Sequence, residues 1–253
     1  HIGGLAKIIN NFLVEKVYLP RVTHNTTAFE AMLKAIKGKN LKISTARKGV
    51  EIPLEGVQAR FIAPVGEDYG DLNNYSAVIR IDYGDVSFVL TGDAEEFSEK
   101  EMLLSGENLK ADVLKVGHHG SSSSTCPAFL KVVAPQYAVI MCGIDNDYGH
   151  PHQETLAALE AARVKVYRTD LHGTIIMKSD GHSINIGTAE VNNKNLKNPP
   201  EQRQDNMYIG NKNSLKFHRS DCKSLPYEKN RVYFKTRDEA VEKGYLPCSK
   251  CQP

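Results

Sequence analysis

Residues 76–93 read S-A-V-I-R-I-D-Y-G-D-V-S-F-V-L-T-G-D. The first half alternates apolar and polar side chains, and the second is almost continuously apolar. Tyr83-Gly84-Asp85 between them supplies a turn, so the stretch predicts a hairpin of two β-strands. Its second strand ends in a carboxylate, Asp93, behind Gly92, a residue that lets the backbone come close to something. Asp93 also precedes a helical pattern, so it reads equally as a helix cap.

Outward from the hairpin the pattern changes. Upstream, V-E-K-V-Y-L-P (14–20) and V-Q-A-R-F-I-A-P (57–64) read as strands, with a helix over 27–40 between them. Downstream, a helix over 94–106 leads to A-D-V-L-K-V-G-H-H-G (111–120), a buried strand running into a polar tip. Then follow a helix over 127–135, a strand over 137–143 and a helix over 152–163 with an acidic first turn. Strands over 164–170 and 173–187 close the series, the last a hairpin around Asp180-Gly181. Hairpins first and β–α alternation later predict an α+β fold: two mixed sheets face to face with helices outside. Polar residues gather just past strand ends, where such a fold builds its site.

Composition is that of a globular chain: 253 residues, 41% hydrophobic and 25% charged. No apolar run approaches the roughly 20 residues that a membrane helix needs. Net charge is +2 but uneven. From Met207 on, ten Lys/Arg stand against five Asp/Glu; before it the balance is 22 against 25. A basic appendage on a near-neutral body suits a polyanionic partner, and equally a solvated surface. Cys126 and Cys142 read as packed small residues.

The appendage has its own chemistry. His218, Cys222, Cys248 and Cys251 follow the spacing H-x3-C-x25-C-x2-C. Zinc takes four N or S donors in a tetrahedron, and two close-spaced pairs supply them. Between the pairs lie a strand run, N-R-V-Y-F, and a helix pattern from Thr236 as cap to Gly244. The chain therefore divides into a body (1–189), a linker without periodicity (190–206) and a small zinc-binding domain (207–253).

In the body, four places carry candidate chemistry: Asp93; His118 and His119 in G-H-H-G; His150 and His152 in Y-G-H-P-H; and His1 in H-I-G-G-L. Asp93 and the histidine pairs lie past strand ends. Side chains adjacent along a strand point oppositely, so of His118 and His119 at most one fully faces a given site. Imidazole and carboxylate are ligands that zinc or manganese accept when water is to be activated.

L-T-G-D, A-D-V-L-K-V-G-H-H-G-S, Y-G-H-P-H and V-Y-R-T-D, in this order, resemble the metallo-β-lactamase-fold hydrolases, specifically the ComEC-like branch of competence proteins. The resemblance covers about residues 1–188. It implies a four-layer αββα sandwich with two divalent ions, zinc or manganese, between the sheets. It also implies that His1 is the last ligand of an N-terminal motif whose other members precede this sequence. Without them the fragment is expected to be inactive. Asp93 matches the aspartate bridging both metals, and His118 matches the late histidine ligand. Asparagine stands where the family's middle histidine falls, at Asn73-Asn74, tilting the site toward oxygen-loving ions. With Asn73 and Asn74, Ser121 and Ser122 are candidates for binding substrate. His150 and His152 fit phosphate contact or proton donation to the leaving oxygen, with His119 in the same constellation. The tail is similar to the zinc-binding domain of the Ada DNA-repair protein, with His218 in place of its first cysteine. That departure counts against methyl transfer while leaving zinc binding and DNA contact.

These readings converge on a metal-dependent phosphodiesterase or nuclease acting on DNA, held there by the tail. The alternatives are hydrolysis of an ester, lactam or thioester, or an inactive body carrying a DNA-binding zinc module. The resemblance places the protein outside the cell or at the envelope.

Overall fold

The computed structural model describes residues 2–188, 208–219, 222, 224–234, 237–248, 250 and 251. His1, the linker 190–206 and the Thr236 cap lie outside the described residues. The chain clusters into two compact units, 1–191 and 192–253.

In chain order the first unit runs α1 (Leu5–Asn11), β1 (Val17–Leu19), α2 (Thr27–Gly38), β2 (Ile43–Thr45), β3 (Glu51–Leu54), β4 (Val57–Ala63), β5 (Val78–Tyr83) and β6 (Val86–Leu90). It continues through α3 (Glu96–Leu104), β7 (Val113–Lys115), α4 (Pro127–Val133), β8 (Tyr137–Ile140), α5 (Gln153–Ala161), β9 (Lys165–Arg168), α6 (Thr169–His172), β10 (Ile175–Ser179) and β11 (Ile184–Thr188). Strands β3 to β9 lie side by side in sequence order in one seven-stranded sheet. From β3 to β6 each neighbour is antiparallel, and from β6 to β9 each is parallel. The hairpin read from residues 76–93 is the hinge of this arrangement, since β5–β6 ends the meander and β6 begins the parallel half. Strands β1 and β2 pair in parallel, and β10 and β11 form the expected hairpin.

The parallel strands are apolar at successive positions because both faces are covered. Val113 and Leu114 of β7 are each no more than 2% exposed. One face packs on α3, α4 and α5 through Met102, Phe129, Leu130, Val133 and Leu159. Alternation along β4 shows what covers the other: Ile62 joins that core, while Phe61 meets the Tyr18 ring of β1 at 5.3 Å. Beyond it, Met32, Ala35 and Ile36 of α2 pack with Ile9 of α1 at helical spacing. The Thr26 hydroxyl accepts from Phe29 N and fixes where α2 begins.

The strand expected over 14–20 is confined to Val17–Leu19, and α1, β2 and β3 were not anticipated. The strand of 111–120 stops at Lys115, well short of the histidines.

In the second unit β12 (Tyr208–Asn211), β13 (Lys216–His218), β14 (Arg231–Phe234) and β15 (Leu246–Pro247) form a sheet ordered β14-β12-β13-β15. Helix α7 (Arg237–Glu242) contributes Ala240 to a core with Phe217 and Phe234. No helix among the described residues is long and apolar enough to cross a membrane.

Candidate metal centres

In the first unit the loops after β6, β7 and β8 meet at one end of the parallel half-sheet. After β6, Gly92 adopts φ +58°, and a Cβ there would lie 3.1 Å from Ser76 Cβ. This close approach lets the Ser76 hydroxyl accept from Asp93 N at 3.0 Å and aim the aspartate. After β7 the chain enters a tight turn in which His118 (φ +43°) and His119 (φ +57°) are both left-handed. Two such residues in succession each cost about 1–3 kcal/mol and persist only where the surroundings impose them. The expectation that at most one of the two rings fully faces a given site assumed an extended strand, where the structure has this turn. Both rings approach His150, with ring centroids at 5.5 Å for His118 and 6.2 Å for His119. Gly120, at φ +84°, lets the loop after β8 close over the pair, since a Cβ there would be 2.6 Å from Pro151 Cβ.

His119 Nε2 lies 3.3 Å from Asp93 Oδ1, and its Nδ1 donates to the carbonyl of Met141 at 2.5 Å. His118 Nδ1 donates to Glu95 Oε1 at 3.0 Å. A carbonyl or carboxylate oxygen only accepts, so both Nδ1 atoms carry hydrogen and, in the neutral rings, the lone pair lies on Nε2. Two donors bound tetrahedrally to one ion at about 2.0–2.2 Å stand roughly 3.3–3.5 Å apart. The Asp93–His119 separation has that value, and each ring is held through its other nitrogen, as metal-ligating histidines are. These residues fit a divalent ion. Among the described residues of the body, Asp93 and His119 are the two brought to this distance, and His118, the favoured ligand of the sequence reading, is turned to Glu95.

His152 departs from His150. The Ser122 N–H donates to His152 Nδ1 at 3.0 Å, and His152 Nε2 lies 3.3 Å from the Tyr148 carbonyl. Both nitrogens are engaged, so this imidazole bolts the G-H-P-H turn to the serine loop. His150 is held by its backbone, through Asn146, and its ring stacks on Tyr148 at 5.7 Å. Burial and the neighbouring imidazoles of His152, His118 and His119 lower its pKa.

The proposed substrate residues also divide. Asn73 borders a cavity of about 620 Å³ with Asp93, His119 and Ser76. Asn74 is buried, and its carbonyl accepts from Ser98 N at 3.1 Å. It brackets the start of α3 and is not open to substrate. Ser122 is exposed, whereas Ser121 is buried with its hydroxyl on Ser123.

Two residues that the sequence reading passed over lie beside these groups, Glu95 against His118 and Lys115 at the cavity. Glu95 looked like an ordinary acid at a helix start. Lys115 looked like the polar end of a strand, yet it borders the same cavity and donates to the carbonyls of Gly92 and Val116 at 2.7 and 3.0 Å. Burial lowers its pKa and the Asp93 charge opposes that shift. Burial and its hydrogen bond to Asp170 push the Cys142 thiol up to about 11, which favours the protonated form over the nucleophilic thiolate.

In the second unit the ligand atoms of His218, Cys222, Cys248 and Cys251 all lie within 4.8 Å of one another. His218 Nδ1 and Cys222 Sγ are 3.4 Å apart, near the roughly 3.6 Å expected across a tetrahedral zinc. Burial pushes the Cys248 thiol up, but the N–H groups of Lys250 and Cys251 and the Cys251 and Cys222 thiols together bring the net shift down. Burial and the neighbouring thiols push the Cys251 thiol up to about 11, so the backbone favours thiolate at Cys248 first.

Sequence comparison decides the family: the metallo-beta-lactamase superfamily profile matches residues 1–144. The chain belongs to that superfamily. It is 35% identical over 191 residues to ComE operon protein 3 of Bacillus subtilis, covering 76% of this chain and 24% of that protein. To Competence protein ComA of Neisseria gonorrhoeae it is 36% identical over 122 residues, 48% of this chain and 18% of the other. Recombination protein 2 of Haemophilus influenzae is 38% identical over 103 residues, 41% of this chain and 13% of the other. The chain thus spans a quarter or less of each of these relatives. The metal binding domain of Ada matches residues 194–253. Membership implies a hydrolase using divalent metal ions in the body, and the Ada-like domain implies zinc in the tail.

Proposed function

We propose that the body is a metal-dependent phosphodiesterase acting on DNA and that the zinc-bearing tail holds the substrate. The observation that carries this reading is the Asp93–His119 pair at a cavity that also admits the buried Lys115 ammonium. Divalent ions, when bound there, supply a water of lowered pKa and polarise the phosphorus–oxygen bond. Asp93 and His119 would hold them, with His118 Nε2 as a further donor. Lys115 has three N–H donors, of which two serve Gly92 and Val116, and the third would meet a phosphate oxygen. His150, whose ring faces both histidines, would give its proton to the leaving oxygen. The tail's excess of lysine and arginine suits the DNA backbone.

The test compares this chain with a form extended upstream of His1, where the resemblance puts further ligands. Each is given Mn²⁺, Mg²⁺ or Zn²⁺ with single- and double-stranded DNA and with bis-p-nitrophenyl phosphate. Cleavage by the extended form and inertness of this chain are expected. Intact substrates throughout, or nitrocefin turnover exceeding phosphodiester turnover, would overturn the reading. A second reading, a DNA-binding zinc module on an inactive body, is favoured by one fact. Among the described residues the tail alone brings as many as three potential ligands together. Salt-sensitive DNA binding without cleavage by the extended form would select it.

A further inference from the structure

Glu95 occupies the N-cap of α3, the place where a side-chain oxygen normally accepts from the helix's own N2 or N3 amide. Its carboxylate makes no such bond. The N3 amide, Ser98 N, is bonded to Asn74 Oδ1 from another segment, so the capping task has been handed over. Glu95 Oε1 instead receives three donors: His118 Nδ1 at 3.0 Å, the Ser123 hydroxyl at 2.9 Å and Asn73 Nδ2 at 3.4 Å. The Ser123 hydroxyl is also 3.4 Å from His118 Nδ1. It therefore stands ready to become that nitrogen's partner if the carboxylate is withdrawn.

We propose that Glu95 is a positioning residue that fixes the tautomer of His118, keeping the proton on Nδ1 so that the Nε2 lone pair is offered to the metal site. The role rests on the hydrolase reading above for its purpose, but the proton's location does not. With Glu95 present, Nδ1 must donate. With it absent, the Ser123 hydroxyl turns to Nδ1 and donates to it, and the ring's proton moves to Nε2. A nitrogen carrying hydrogen then faces the site where a lone pair is required, which weakens metal binding without moving the ring.

The experiment reads the ring nitrogens of ¹⁵N-histidine-labelled, metal-free protein by NMR, in the native chain and in Glu95→Ala, Glu95→Gln and Glu95→Ala/Ser123→Ala. The native chain is expected to show His118 protonated at Nδ1, Glu95→Ala at Nε2, and Glu95→Gln at Nδ1, because the amide carbonyl still accepts. Removing Ser123 as well is expected to take away the bias toward Nε2. In the upstream-extended protein, affinity for Mn²⁺ or Zn²⁺ at the body site is expected to fall about 10–100-fold in Glu95→Ala and less in Glu95→Gln. The tail zinc serves as an unchanged internal control. An Nδ1 proton that survives in Glu95→Ala, or an Nε2 proton in the native chain, would overturn the proposal. Should Glu95→Ala not fold, Glu95→Gln and the native spectrum decide it. If the extended protein holds no metal in its body, the hydrolase reading fails while the tautomer result still stands or falls by itself.

Discussion

At the scale of single residues, the His118 and His119 rings are each held through Nδ1, to Glu95 and to the Met141 carbonyl. Asp93→Ala is expected to abolish body metal binding and lower phosphodiester turnover about a thousandfold, leaving the tail zinc in place; metal analysis beside kinetics checks both. His150 and His152 should separate. His150→Gln removes the proton donor, so kcat should fall about a hundredfold with KM little changed. His152→Ala removes one hydrogen bond to the serine loop and one within its own turn, and should cost about 1–3 kcal/mol in denaturant titration. Equal losses of kcat in both variants would contradict the division. Asp93 stood out in the sequence as a carboxylate behind glycine at the end of an apolar strand, but that pattern read equally as a helix cap, and only the resemblance separated the two. The partition between His118 and His119 was not legible, because it depends on two left-handed residues and on Glu95, none of which leaves a periodic trace.

At the scale of elements, α3 is the bracket of the site. Its buried Glu99 accepts from Thr125 N and Cys126 N at 2.5 and 2.8 Å, anchoring the chain between the serine loop and α4. Glu99→Gln would turn an NH₂ group toward one of these amides. A loss of about 1–3 kcal/mol is expected, read as a lowered thermal midpoint. Truncating the fully buried Met102 on the same helix should cost about 2–5 kcal/mol. Tyr69, whose hydroxyl donates to Glu101 of α3, adds a pH signature. Burial and that bond push its phenol up to about 12 from 10.0. Between those values the folded chain keeps a proton that the unfolded chain has lost. Stability from this group should therefore fall as pH rises from about 10, and Tyr69→Phe should flatten that part of the curve. Helix α2 and the strands β4 to β9 were legible because their apolar positions repeat at clean helical or strand periods. Helix α1 was not: it is short, and Gly4 at its N-cap gives it no side-chain cap. Strands β2 and β3 escaped notice because they are three and four residues long with no buried residue between them.

At the scale of the whole molecule, two metal chemistries share one chain. The tail's four ligands were legible from spacing alone, whereas strands β12, β13 and β15 were too short to announce themselves. Cys248→Ser is expected to remove one zinc per chain and the tail's chemical-shift dispersion, while the body keeps its fold; metal analysis and NMR check this. If the tail holds DNA as proposed, the same variant should lose salt-sensitive retention on immobilised DNA.

The parallel half of the large sheet sends Asp93, the paired histidines and the G-H-P-H turn out of the same end, each on its own connection after β6, β7 or β8. Chemistry and architecture are thereby separated: the candidate groups sit on the three connections, while the strands beneath are fixed by their own pairing. A new substrate preference would then arise by rewriting three short loops, and transplanting them together onto a kindred scaffold should carry the preference along.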